Sequence, residues 1–89
     1  MSSESASVMN EDPKYRYYLM DLGYLLREQA VEAKARRDAT QDKDAGNFYT
    51  GMLLTYNAVI SLMQQQAEGF DISLDDLRLD GLVPDRDLI

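Results

Sequence analysis

AGNFYTGMLLTYNAVISLMQQQA, residues 45–67, carries no charged side chain in a chain where 28% of residues are charged. Laid out at ~100° per residue, Ala45, Phe48, Tyr49, Met52, Leu53 and Tyr56 fall with Val59, Ile60, Leu62, Met63 and Ala67 inside about half the circumference of a helix. Gly51 and Ala58 widen that arc. Asn47, Thr50, Asn57, Ser61, Gln64 and Gln65 fill the remainder, with Leu54 among them. One neighbouring helix needs an apolar stripe of only roughly 100°, so this helix is expected to touch more than one neighbour. Its length matches the about 20 residues of a bilayer span. Two Asn, three consecutive Gln and the lack of a basic flank argue for a helix in water, and no membrane partner is expected.

Before it, Asp12-Pro13 is a favoured N-cap followed by a favoured first helical residue, so a helix is expected from there to about Ala39. Its main apolar face, Tyr15, Tyr18, Leu19, Leu22, Leu25 and Leu26 with Ala30 and Ala33, should pack on the central helix. Arg36 and Arg37 suit the negative pole of its dipole. Residues 40–44 form the turn, with Thr40 or Asp42 capping the central helix. So short a loop joins antiparallel neighbours. A turn centred near residue 42 sets Ala33 against Gly51, Leu26 against Ala58, Leu22 against Leu62 and Gly23 against Ser61.

After the central helix, Gly69 reads as the left-handed residue that stops it. Phe70 and Ile72 return the chain over the hairpin end. Ser73-Leu74-Asp75-Asp76 has the form of an N-terminal cap for a helix of about one or two turns, with Leu74 and Leu77 buried. Residues 79–84 read as a turn and an extended segment, and residues 85–89 as exposed.

Eighty-nine residues with 45% hydrophobic content make one small domain. A core of that size buries roughly 60–65% of the unfolded surface and is marginal alone. There is no cysteine to staple it and no histidine to build a structural metal site, so self-association is the expected source of added stability. The lack of cysteine suits a reducing compartment, and a cytoplasmic location is expected. Residues 1–11 are Ser-rich and acidic, without the basic and apolar regions of a secretory signal, and read as a flexible tail.

The same absences bear on chemistry. Without His or Cys the usual general base, the thiolate nucleophile and the common zinc arrangements are missing together. A di-iron bundle needs Glu-x-x-His motifs, and no Gly-rich phosphate loop is present. Glu28 and Glu32 stand one helical turn apart, but nearby Arg27, Lys34, Arg36 and Arg37 make them a salt-bridged face rather than a metal site. The six tyrosines have no base at a readable spacing. The expectation is a protein that is not an enzyme and holds no cofactor or metal.

What remains is surface. Opposite the main face of the first helix runs a stripe of Tyr17, Met20, Tyr24 and Val31, bordered by Asp21, Glu28 and Glu32 on one side and by Arg16, Arg27 and Lys34 on the other. Exposed aromatics gather at interfaces, and antiparallel self-pairing here would set like charges together. The stripe is therefore expected to meet a different protein, or the C-terminal tail. A net charge of −7 disfavours nucleic acid as a partner.

The reading is an all-α protein: a long antiparallel helical hairpin with a short third helix over residues 12–78, preceded by the N-terminal tail and followed by an irregular, extended acidic tail over residues 79–89. Two hairpins are expected to pair into a four-helix-bundle homodimer through Phe48, Met52, Val59 and Met63. Function is expected to be protein–protein interaction or regulation, with Tyr17, Met20, Tyr24 and Val31, or the Leu-rich acidic tail, as the partner surface. The alternative is a nucleic-acid-directed role, either weak binding through Arg27, Lys34, Arg36 and Arg37 or imitation of DNA by the acidic tail to block a basic protein.

Overall fold

The computed structural model describes residues 13–89, so the expected N-terminal tail and the Asp12 cap lie outside the described residues. Helix α1 spans Pro13–Ala39 and α2 spans Lys43–Gly69. A 3-10 helix at Leu74–Leu77 and a one-turn helix α3 at Pro84–Asp87 complete the elements. No strand is present among the described residues, and no helix there is long and apolar enough to cross a membrane. The described part of the chain is all-helical, and its two long helices pack on each other.

The expected turn forms for the expected reason. Asp42 holds extended backbone angles and its carboxylate accepts from the Asp44 amide at 3.1 Å, while the Thr40 hydroxyl accepts from the Asp42 amide. Together they satisfy donors that a helix start leaves open.

The far end of α2 differs from the reading. Gly69 stays in the helix, and the left-handed residue is Asp71, at φ 59°. The Asp71 amide bonds to the Glu68 carbonyl and the Ile72 amide to the Ala67 carbonyl, the paired bonds of a Schellman stop. The 3-10 helix ends in the same way one residue after Leu77, with Arg78 at φ 58°. Nor does Ser73 cap that helix: its hydroxyl bonds to the Asp75 carboxylate.

The seam between the long helices is narrower than the two apolar faces. Ala30 and Ala33 are its buried residues on α1, and Leu53, Ile60 and Ala67 on α2, while Gly23 is buried under the 3-10 helix. Gln29 and Tyr56 stand level, joined by a hydrogen bond from the Tyr56 hydroxyl at 2.8 Å, which is the height a turn near residue 42 requires. The rotation of the helices is what differs. Gly51 has open space at its Cβ position, and Ala58 and Leu62 are exposed, so none of the three lies in the seam. Gly23 meets Leu77 rather than Ser61.

The larger correction concerns the tail. Leu77, Leu79, Leu82 and Leu88 are four of the nine buried hydrophobic residues among those described, and Leu79 and Leu88 are 0% exposed. Pro84 is buried with them. Residues 79–89 are therefore a folded strap across the hairpin and not an extended, exposed tail. At about 1.5–3 kcal/mol for each fully buried leucine, the strap supplies a large part of what holds so small a fold together. Its acidic side chains stay outside while its leucines turn in, a local alternation whose destination the sequence did not show.

Candidate functional site

The strap fixes which face of the hairpin is covered. Irregular backbone lacks the internal hydrogen bonds of a helix, so its carbonyls need donors where they are covered. The hairpin supplies them from side chains. On α1, Arg27 Nη1 donates to the carbonyls of Arg78 at 3.1 Å and Asp80 at 2.8 Å, Lys34 Nζ to Asp87 at 3.1 Å, and Arg37 Nη2 to Ile89 at 3.0 Å. On α2, Gln64 Nε2 donates to Leu79 at 3.2 Å and Leu82 at 2.9 Å, and Asn57 Nδ2 to Pro84 at 3.0 Å. Arg16 adds an ion pair to Asp76 on the same side, 3.4 Å long and exposed.

This divides the basic cluster that the sequence presented as a unit. Arg27, Lys34 and Arg37 are engaged by the strap, while Arg36 pairs with Glu32 at 3.6 Å on a different side of α1. The Tyr49 hydroxyl and then Glu32 raise the Arg36 pKa further above its usual value. Asn57 and Gln64, read as part of a neutral remainder on α2, are strap ligands.

Beside the strap runs a groove of about 830 Å³ whose lining includes Tyr17, Tyr18, Met20, Tyr24, Arg78 and Asp80, Tyr18 standing at its edge toward the open face. Three of the four stripe residues thus come together against the strap's turn. Val31 does not: it lines a separate, smaller depression with Leu25, Gln29 and Ala35.

On the face turned away from the strap, nothing covers the hairpin among the described residues. A turn of ~100° per residue carries α1 from Gly23 and Arg27, which meet the strap, round to Tyr18, Leu22, Leu25 and Gln29. It carries α2 from Asn57 and Gln64 round to Phe48, Met52, Val59 and Met63. Phe48 is 65% exposed, Tyr18 64% and Leu62 57%. Val59 is exposed, and Met52 and Met63 are half-buried. The four residues expected at a shared core therefore lie on one open face. Tyr18 and Leu25 join them there, while Leu62 lies on the outer flank of α2, turned away from α1; the sequence reading placed all three in the packing between the two helices. The signal that would have separated them is the size of the seam residues: the alanines on α1 bring the axes close and push the large side chains to the flanks.

The open face has relief. Between the helices lies a depression of about 360 Å³, lined by Gln29, Glu32, Ala33, Arg36, Met52 and Tyr56 among others. The Tyr56–Gln29 hydrogen bond crosses it.

Among the described residues no polar or charged side chain is buried and no group of acidic residues is placed to hold a metal ion. Two carboxyls have lowered pKa values: Asp75, chiefly through the Ser73 hydroxyl, and Asp87, chiefly through Arg86. Comparison with family models, curated proteins and solved structures yields no match.

Proposed function

We propose that this chain is a non-catalytic protein-interaction protein that works as a homodimer, two hairpins closing their open faces into a four-helix bundle. The observation that supports this is the open face itself, where large apolar side chains of α1 and α2 lie together on the side opposite the strap. Exposed apolar surface on that scale marks an interaction site. Two helices about 40 Å long, set 8–10 Å apart, offer a face on the order of 800 Å², the share each partner contributes to a standard interface. Tyr, Phe and Met, the residue types enriched in interface cores, are its main side chains.

Tyr18 borders both the open face and the groove; the strap side of the groove, at Met20, Tyr24 and Asp80, stays open in such a dimer and is the surface for a different protein.

Light scattering over a dilution series tests the reading. The wild-type mass is expected at twice the 10.1 kDa of one chain. Met52→Asp with Val59→Asp is expected to return it to one chain with the helical signal retained. A wild-type chain that is monomeric at every concentration overturns the proposal. For the groove, Tyr17→Asp with Tyr24→Asp should keep the dimer and abolish binding of the partner.

A further inference from the structure

A second groove lies on the other side of the strap, between the strap and α2. It holds about 630 Å³, with Ile72, Leu74 and Pro84 as its apolar part and Glu68, Asp71 and Asp85 as its charged part. Its α2 wall runs from Ser61 to Glu68. At ~100° per residue that wall points away from Met52, Val59 and Met63, so the groove is separate from the open face and does not depend on the homodimer.

Charge separates the two grooves. The lining at Tyr17 and Tyr24 holds Lys14, Arg27 and Arg78 against Asp21, Glu28 and Asp80, so neither sign prevails there. No Lys or Arg lines the second groove. Among the described residues the ion pairs join Arg16 to Asp76, Arg36 to Glu32, Arg37 to Asp38 and Arg86 to Asp87, and none reaches Glu68, Asp71 or Asp85. The Asp85 carboxylate accepts from the neutral Asn57 amide at 3.4 Å. The carboxylates are not gathered as a metal site; they are spread along the groove. From Asn57, level with Asp85, to Glu68 is about 16 Å along α2. Helical side chains lean toward the start of their helix, so the anionic ends of the groove stand about 10–15 Å apart.

We propose that this groove docks an extended basic segment of another protein. One Lys or Arg of the segment lies between Glu68 and Asp71, a second lies at Asp85, and an apolar side chain between them covers Ile72 and Leu74. Extended chain rises about 3.3 Å per residue, which sets the two cations three or four residues apart. The exposed Gln65 amide beside them serves the segment's main chain. A purely apolar occupant would take the carboxylates out of water with nothing to balance them, and an acidic one would add like charge. The net charge of −7 steers cationic partners toward the chain.

A synthetic peptide carrying Arg-Leu-Leu-Arg, titrated into the isotope-labelled full chain and followed by NMR, tests this. Amide shifts are expected at Gln65, Glu68, Asp71, Ile72 and Asp85. Neutralising the groove with Glu68→Gln, Asp71→Asn and Asp85→Asn is expected to weaken binding about 3- to 30-fold. Asp21→Asn, Glu28→Gln and Asp80→Asn change the net charge equally at the other groove and are expected to leave binding within about twofold of wild type. All six positions are exposed, so both variants should keep the helical signal. No shifts, shifts centred on Tyr17 and Tyr24, or equal weakening in the two variants overturns the proposal. So does equal affinity for a peptide with Gly in place of each Leu, which would leave the apolar part of the groove without a role.

Discussion

The Cβ that Gly23 lacks would lie 1.9 Å from the carbonyl oxygen of Leu77. The 3-10 helix crosses α1 there on bare backbone, and the strap beyond it is seated by that contact. The obstacle is main chain, so no side-chain rotation relieves it. Gly23→Ala is expected to destabilise by about 1–3 kcal/mol, the overpacking cost outweighing the gain of about 1 kcal/mol in helix propensity. Gly51→Ala, where nothing lies within 4 Å, is expected to stabilise by about 0.5–1 kcal/mol. Thermal unfolding of the pair checks this, and a Gly23→Ala midpoint at or above wild type would remove the close crossing.

Leu79 and Leu88 are fully buried. Truncating either to Ala is expected to cost about 2–5 kcal/mol, against almost nothing had residues 79–89 been an exposed tail. Urea unfolding of the two variants measures it. Midpoints equal to wild type would mean that the strap does not hold its place in solution.

Arg78 sits at φ 58°, a left-handed conformation that costs a side-chain-bearing residue roughly 1–2 kcal/mol. Its carbonyl, not its guanidinium, is what Arg27 binds. Arg78→Gly keeps that carbonyl and removes the strain, so the unfolding midpoint is expected to rise by a few degrees, about 4–8 °C for each kcal/mol recovered in a domain this small. A fall would show that the Arg78 side chain holds the strap in a way the backbone angles do not account for.

Acid should loosen the end of the strap first. The Asp87 carboxyl is lowered to about 2, chiefly by the Arg86 guanidinium and next by the Val83 amide, which donates to it at 2.9 Å. A carboxyl with a depressed folded pKa contributes stability that is present above its ordinary value of about 4 and is lost as pH falls through the folded value. Amide exchange in residues 83–88 is therefore expected to accelerate as pH falls from about 4 to about 2, relative to the α1–α2 seam. Asp87→Asn should flatten that dependence; the same slope in the variant would assign it to another group.

The helices and the turn were legible because their signals are local. The uncharged stretch at residues 45–67, the Thr40–Asp42 turn chemistry and the Pro at position 13 each act within a few residues. The height of the hairpin, marked by Gln29 and Tyr56, followed from loop length alone. The rotation of α1 against α2 did not, because Tyr15, Leu22 and Ala30 share one broad apolar arc, and only small seam residues choose which part of it is buried. Of the open face, Phe48, Met52, Val59 and Met63 were named from periodicity, while Tyr18 and Leu25 were assigned to the wrong contact by that same ambiguity. The stripe of Tyr17, Met20 and Tyr24 was legible as surface; the strap wall that turns it into a groove was not.

The sequence by itself determined that this chain makes two long helices joined by a tight turn, since periodicity, caps and breakers act over one or two helical turns. Only the tertiary structure decided what Arg27, Lys34, Arg37, Asn57 and Gln64 are for. Each donates to a backbone carbonyl 15 to 53 residues away. A carbonyl is the same group at every residue, so such a bond leaves no mark in the sequence of the segment it holds.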